Sequence, residues 1–266
     1  MDYDEWALEL TTRWMARDLE CLAQVSSTNS RLRDRLQTEN VPLGAAVVAD
    51  EQTAGRGRLG RAWWSPAKTG IYTSFLVYPG DRLSGLVSLL AAVALCQAIE
   101  VETGLAPRLK WPNDVLLGGK KCTGILVESS STWAIIGMGV NVNGSLPPEL
   151  AHVTTLSQHL LAPVHRPRLW AKVAGFLEQW YERWLSDGSG PVLQAWRERS
   201  LTVGQTVEIL RPDGRPLLAG LAVDVDDDGA LLVKGSTGKV HRVVAGEVSL
   251  RFEGGAYNPP SDGVSS

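Results

Sequence analysis

Four stretches of this chain carry residues suited to chemistry on anions. Gly55-Arg56-Gly57-Arg58-Leu59-Gly60-Arg61-Ala62-Trp63 interleaves glycine with arginine. Glycine lets backbone N–H groups approach an anion closely, and arginine forks onto phosphate or carboxylate oxygens. The same composition also suits a flexible basic loop that touches nucleic acid. In Lys110-Trp111-Pro112-Asn113-Asp114, the proline fixes φ and lacks an N–H, so a strand must end or bulge there. Asn113 and Asp114 are thereby left at a strand end, where binding groups often sit. Asp114 is a candidate Mg²⁺ residue beside a nucleotide, although the five residues alone also read as an ordinary turn. Lys121 opens the run toward Gly124-Ile125-Leu126-Val127. It is either a point charge for a carboxylate or α-phosphate, or a solvated lysine at a sheet edge. Gly137-Met138-Gly139-Val140-Asn141-Val142-Asn143 has the glycines of a strand that something approaches closely. Asn141 or Asn143 there could read an adenine edge; the alternative is a tightly packed buried strand.

The elements that must hold these residues follow from periodicity and turn signals. Trp6, Leu10 and Trp14 predict a helix over residues 4–20. Ser26-Ser27-Thr28-Asn29 is an N-cap signature ahead of a second helical pattern with Leu32 and Leu36. Residues 45–49 and 71–78 read as strands, with a long apolar helix over 83–102. Residues 109–111, 115–117, 121–128 and 133–142 read as further strands, and Gly118-Gly119 as a hairpin turn. Helices are predicted over 168–185 and 192–199. Beyond Ser200, five short strands (207–209, 221–225, 230–233, 240–244, 248–252) in about fifty residues predict a small β-barrel. The Gly-, Pro- and Ser-rich tail reads as disordered.

Composition excludes several classes. The chain has 266 residues, 44% hydrophobic and 21% charged, which is ordinary for a globular protein. The net charge of −3 gives no global basic field for nucleic acid. Cys21, Cys96 and Cys122 form no metal-ligand spacing and fit a reducing, cytoplasmic setting. The acidic N-terminus lacks a signal peptide's pattern. The longest apolar stretch, 86–99, is shorter than the ~20 residues of a membrane span.

Taken together and in this order, Ser27-Thr28-Asn29, Gln52 with GRGRLGR and Trp63, KWPND, Lys121 with Gly124, and GVNVN resemble the biotin protein ligase family. The resemblance runs from about residue 21 to 145, and the C-terminal β module extends it to about 253. It implies an α+β fold: a mixed β-sheet backed by helices (class II synthetase-like), then a small SH3-like β-barrel. The implied divisions are an N-terminal helix (1–20), a biotin- and ATP-binding catalytic domain (21–200), the SH3-like domain (201–254) and the tail (255–266). The implied activity is ATP-dependent conversion of biotin to biotinoyl-AMP, then transfer to a lysine of a biotin carboxyl carrier domain. ATP, biotin and Mg²⁺ take part. Ser27, Thr28, Asn29, Gln52, Gly55, Arg56, Gly57, Arg58, Lys121 and Gly124 match biotin-site positions. Arg56, Arg58, Arg61, Trp63, Asn113, Lys121 and Asn141 match the nucleotide side. Arg58 and Lys121 are the expected catalytic pair, and Asp114 the metal candidate.

The family's long form carries a winged-helix DNA-binding domain ahead of the serine-threonine motif. Here twenty-six residues precede Ser27, too few for such a domain. The expectation is therefore a short form without a nucleic-acid or membrane partner. Its rivals are a lipoate–protein ligase, whose Arg-Arg-x-Ser-Gly-Gly-Gly loop is absent, and a repressor that uses biotinoyl-AMP as corepressor.

Overall fold

The computed structural model describes residues 3–80, 85–211, 214–244, 246–252 and 255–257. The helices are α1 (Tyr3–Ala7), α2 (Thr28–Thr38), α3 (Leu86–Thr103), α4 (Leu156–Leu160), α5 (Arg166–Asp187) and α6 (Gly190–Arg199). The strands of the first sheet are β1 (Leu19–Leu22), β2 (Ala46–Ala49), β3 (Gly70–Val77), β4 (Arg108–Lys110), β5 (Asp114–Leu117), β6 (Lys120–Ser129) and β7 (Ala134–Asn141). Their order is β1-β2-β3-β7-β6-β5-β4; β1 and β2 run parallel and the other pairs antiparallel. This is the expected mixed sheet.

Period-2 alternation divides the sheet's faces. Ile136, Met138 and Val140 of β7 and Ile71 and Phe75 of β3 enter the main core, which also takes in α3 and α5. α3 is apolar all round, and by length and composition could cross a membrane; twelve of its residues are buried here, where it packs on α5, α6 and the sheet. It ends on Gly104 in the left-handed region, whose N–H bonds Glu100 O. On the opposite face, α2 packs over β2, β3 and β7. There β7 presents Gly137, Gly139 and Asn141, β6 presents Gly124, and β3 presents Ser74. Small residues leave a trough beside α2.

The second sheet comprises β8 (Thr206–Leu210), β9 (Pro216–Val225), β10 (Leu231–Gly235), β11 (Val240–Val243), β12 (Glu247–Phe252) and β13 (Gly255–Tyr257). It is antiparallel, in the order β11-β10-β9-β8-β12-β13, and corresponds to the SH3-like module. Its core is continuous with that of the first sheet. The join is specific: Trp111 Nε1–H donates to Gly229 O at 2.9 Å, and Trp111 N–H donates to Thr202 Oγ1 at 2.9 Å.

Two local expectations differ from the structure. The helix predicted over 4–20 stops at Ala7. The N–H groups of Arg13, Trp14 and Met15, which a helix would use internally, instead converge on the Glu178 carboxylate at 2.8–3.1 Å. Ala16 then turns at φ 61°, and Trp6, Met15 and Ala16 join the main core. The expected tail supplies β13, which pairs with β12 along its open edge; residues 258–266 lie outside the described residues. The hairpin does form at Gly118 and Gly119, both at positive φ, with Leu117 opposite Lys120.

Candidate active site

The trough on the α2 face is where the chemistry-bearing residues meet. β6 and β7 place Gly124 directly opposite Gly139, and the Trp63 indole lies on this pair. A Cβ on Gly139 would stand 2.2 Å from Trp63 Nε1, and one on Gly124 would stand 2.9 Å from Trp63 Cζ3. Only glycine leaves room at both positions. Trp63 Nε1 is buried with no hydrogen-bond acceptor among the described residues, so a donor stands ready for a ligand's acceptor.

Lys121 reaches the same spot. Register shifts between Val115 and Leu116, and this irregularity precedes the Gly124 pairing with Asp114. The Lys121 ammonium lies 5.4 Å from the Trp63 ring centroid and 2.6 Å from Asp114 Oδ1. Asp114 is therefore the counterion of Lys121. No group of three His, Cys, Asp or Glu side chains capable of holding a metal exists among the described residues. The described residues do not fit a metal centre held by protein donors alone; the sequence placed Asp114 beside a nucleotide's Mg²⁺, a role that needs only one carboxylate.

The arginine loop hangs from both ends. Trp63 N–H donates to Gly55 O, Gly57 N–H to Arg61 O, and Arg56 faces Ala62 as an isolated bridge. Residues 58–60 make one 3₁₀ turn, with Leu59 at φ 58°. Arg58 donates to Asn113 Oδ1 at 3.2 Å and to Gly246 O at 3.3 Å. It thus ties the loop to the KWPND turn and to the second sheet at once. Asn113 Nδ2 in turn donates to Ile125 O at 2.7 Å. Arg56 Nη2 donates to Glu128 Oε2 at 2.9 Å. Arg61 is exposed on the outer limb of the loop.

The polar wall comes from the start of α2. Ser27 occupies its N-cap position, buried but without a side-chain cap bond. Thr28 N–H and Oγ1 both bond Gln52 Oε1, at 2.9 and 3.2 Å. Gln52 Nε2 donates to Ser65 Oγ, which donates to Trp63 O. Gly55 sits inside this arrangement, where a Cβ would meet Trp63 O at 2.5 Å. Asn29 is packed over Gly137 and bonds Ser74 and Glu128. Asn141 follows Gly139 on the same face of β7, one residue pair further along, opposite Gly70.

All the sequence candidates lie along this one trough, its loop or its flanking strands. Sequence reasoning missed Ser65, Ser74, Glu128 and Gly246. Glu128 had a usable signal, since residues 124, 126 and 128 share a strand face by alternation. Gly246 had none, because it comes from the other sheet.

Comparisons agree with this geometry. The family described as biotin/lipoate A/B protein ligase matches residues 21–143, and the biotin protein ligase C-terminal domain matches residues 202–251. The chain is 34% identical over 239 residues to the biotin–[acetyl-CoA-carboxylase] ligase of Mycobacterium tuberculosis, covering 87% of this chain and 88% of that one. It is 34% identical over 252 residues to the bifunctional ligase/repressor BirA of Bacillus spizizenii, covering 91% and 76%. Among solved structures it is similar to the Aquifex aeolicus biotin protein ligase in complex with biotin and ATP, with a TM-score of 0.77, 32% identity, and coverage of 88% and 99%. With both sheets, the arginine loop and the lysine all accounted for, the chain belongs to the biotin/lipoate A/B protein ligase family, in its biotin protein ligase branch.

Proposed function

We infer that this chain activates biotin with ATP and attaches it to a lysine of a carboxylase's biotin carboxyl carrier domain. The observation that carries the reading is the convergence of Lys121 and Trp63 on a floor of paired glycines, with Arg58 bonded to Asn113 on the neighbouring KWPND turn. A flat ligand with an acyl carboxylate and a phosphate needs this combination of floor, lid and cations.

In the first step a biotin carboxylate oxygen bonds to the α-phosphorus of ATP. The bond from that phosphorus to the bridging oxygen breaks, and pyrophosphate leaves. The difficulty is charge: two unit negative charges ~4 Å apart repel by about 1 kcal/mol in water and about 4 kcal/mol at an effective dielectric near 20. Lys121 and the loop arginines oppose that repulsion, and Mg²⁺ enters with the nucleotide as part of the substrate. Thr28, Gln52 and Asn29 orient the polar end of biotin; Asn113 and Asn141 flank the nucleotide. In the second step the carrier lysine amine attacks the acyl carbon and AMP leaves. Catalysis is positioning and electrostatics, and no thiol nucleophile takes part. Burial pushes the Cys122 thiol up to about 12 and the Cys96 thiol well above its usual range. None of the three cysteines forms a disulfide, and a reducing cytoplasmic setting belongs to this reading.

The test is incubation with ATP, Mg²⁺, labelled biotin and a carboxyl carrier domain. Label should reach the carrier lysine, and pyrophosphate release should depend on biotin. A carrier labelled from lipoate in preference to biotin would overturn the assignment of substrate.

A further inference from the structure

Glu128 lies outside every motif noted above, yet three donors from two other parts of the chain end on it. Its Oε2 accepts from Asn29 Nδ2 at 2.7 Å and from Arg56 Nη2 at 2.9 Å, and its Oε1 accepts from Arg33 Nη2 at 2.6 Å. An exposed ion pair of this kind contributes little by itself. This one is joined to a buried network. Asn29 and Ser74 are buried; Ser74 Oγ donates to Asn29 Oδ1 at 2.6 Å and stands 2.8 Å from Thr28 Oγ1. From Thr28 the chain of bonds runs through Gln52 and Ser65 to the carbonyl of Trp63. The network thus begins at Arg56, at one end of the arginine loop, and finishes at Trp63, at the other.

We propose that Glu128 is a positioning residue that aims Arg56 at the adenylate. The proposal rests on the ligase reading above. A carboxylate is required because all the groups arriving are donors, and a carboxylate is acceptor-only. It also fixes the Asn29 amide: with Nδ2 turned to Glu128, Oδ1 must face Ser74. Glu128 engages Arg56 through Nη2, which immobilises the planar guanidinium while the rest of its fork is presented to a carboxylate or phosphate oxygen. An amide at position 128 would put an NH₂ group against one of the donors, either Arg33 or the Asn29–Arg56 pair. The aim of Arg56 would then be lost although the side-chain volume is kept.

The experiment is a double-mutant cycle of Glu128→Gln with Arg56→Ala, read as kcat/KM for biotin-dependent pyrophosphate release. The temperature is one at which circular dichroism shows all four proteins folded. Glu128→Gln alone should lower kcat/KM about tenfold. In the Arg56→Ala background it should lower it no further. If Glu128→Gln does not fold, Arg33→Ala takes its place, because it loosens Glu128 from the opposite side; a smaller loss, again absent without Arg56, is then expected. Equal losses with and without Arg56 would show that Glu128 acts independently of the loop and would overturn the proposal while the ligase reading stands. A wild-type protein that releases no pyrophosphate with biotin and ATP would overturn both.

Discussion

Gly139→Ala places the first demand on the glycine floor. The added Cβ would lie 2.2 Å from Trp63 Nε1 and 2.4 Å from Trp63 Cε2. Gly139 is not among the glycines at positive φ, so alanine strains no backbone there and the whole effect is steric. Favourable contact between heavy atoms begins near ~3.5 Å, so the indole must retreat by more than about 1 Å. It does not retreat alone: Trp63 N–H is bonded to Gly55 O and its carbonyl to Ser65 Oγ, so the loop moves with it. Overpacking of this kind costs roughly 1–3 kcal/mol, which corresponds to about 5- to 150-fold in an equilibrium constant. Biotin affinity measured by calorimetry, and kcat/KM for biotin-dependent pyrophosphate release, should fall within that range. The same cost should lower the thermal midpoint, by roughly 2–4 °C per kcal/mol for a chain of this size. Adding Trp63→Phe should restore part of the loss, since the smaller ring clears the new methyl group. Unchanged biotin affinity in Gly139→Ala would refute the placement of the floor. A loss that Trp63→Phe leaves untouched would mean that the methyl meets the ligand itself rather than the indole.

Lys121→Ala should lower adenylate formation at least tenfold with little effect on folding, because it removes a charge-assisted contact worth roughly 1.5–3 kcal/mol; wild-type turnover would reduce Lys121 to a surface partner of Asp114. Arg58→Gly breaks the bonds to Asn113 and Gly246 and loosens the loop, so biotinoyl-AMP should still form but escape, and a biotin blot should reveal labelling of an unrelated lysine-rich protein; retention as tight as in wild type would move the clamp to Arg56. Glu178 is pushed up by burial but held lower overall by the N–H groups of Arg13, Met15 and Trp14 and the charge of Arg13, which leaves its carboxyl below the usual glutamate range. Such a group stabilises the fold fully above the usual range, and the contribution is lost as the pH falls through the depressed value. Glu178→Gln should therefore cost about 1–3 kcal/mol in urea unfolding at pH 7, a difference that closes in acid; a pH-independent difference would be inconsistent with the carboxylate's role.

Where local chemistry decides conformation, the sequence sufficed. Gly118-Gly119 makes its turn because both residues take positive φ, α3 is a core helix because it is apolar on every side, and the arginine loop is written in consecutive glycines and arginines. The list of candidates in the trough was legible for the same reason. The partners of those candidates were not. A helical pattern at residues 4–20 yields to one carboxylate at position 178 that takes three backbone N–H groups. Asp114 meets Lys121 only because sheet register sets the two side by side. Gly124 and Gly139 become a floor only when β6 and β7 pair in the register that puts them opposite one another, and Arg58 meets Gly246 only because the second sheet packs on the first. Periodicity and turn chemistry act over a few residues and are carried by the residues themselves, whereas a pairing across a hundred residues depends on strand order and register, which the burial of the whole core selects.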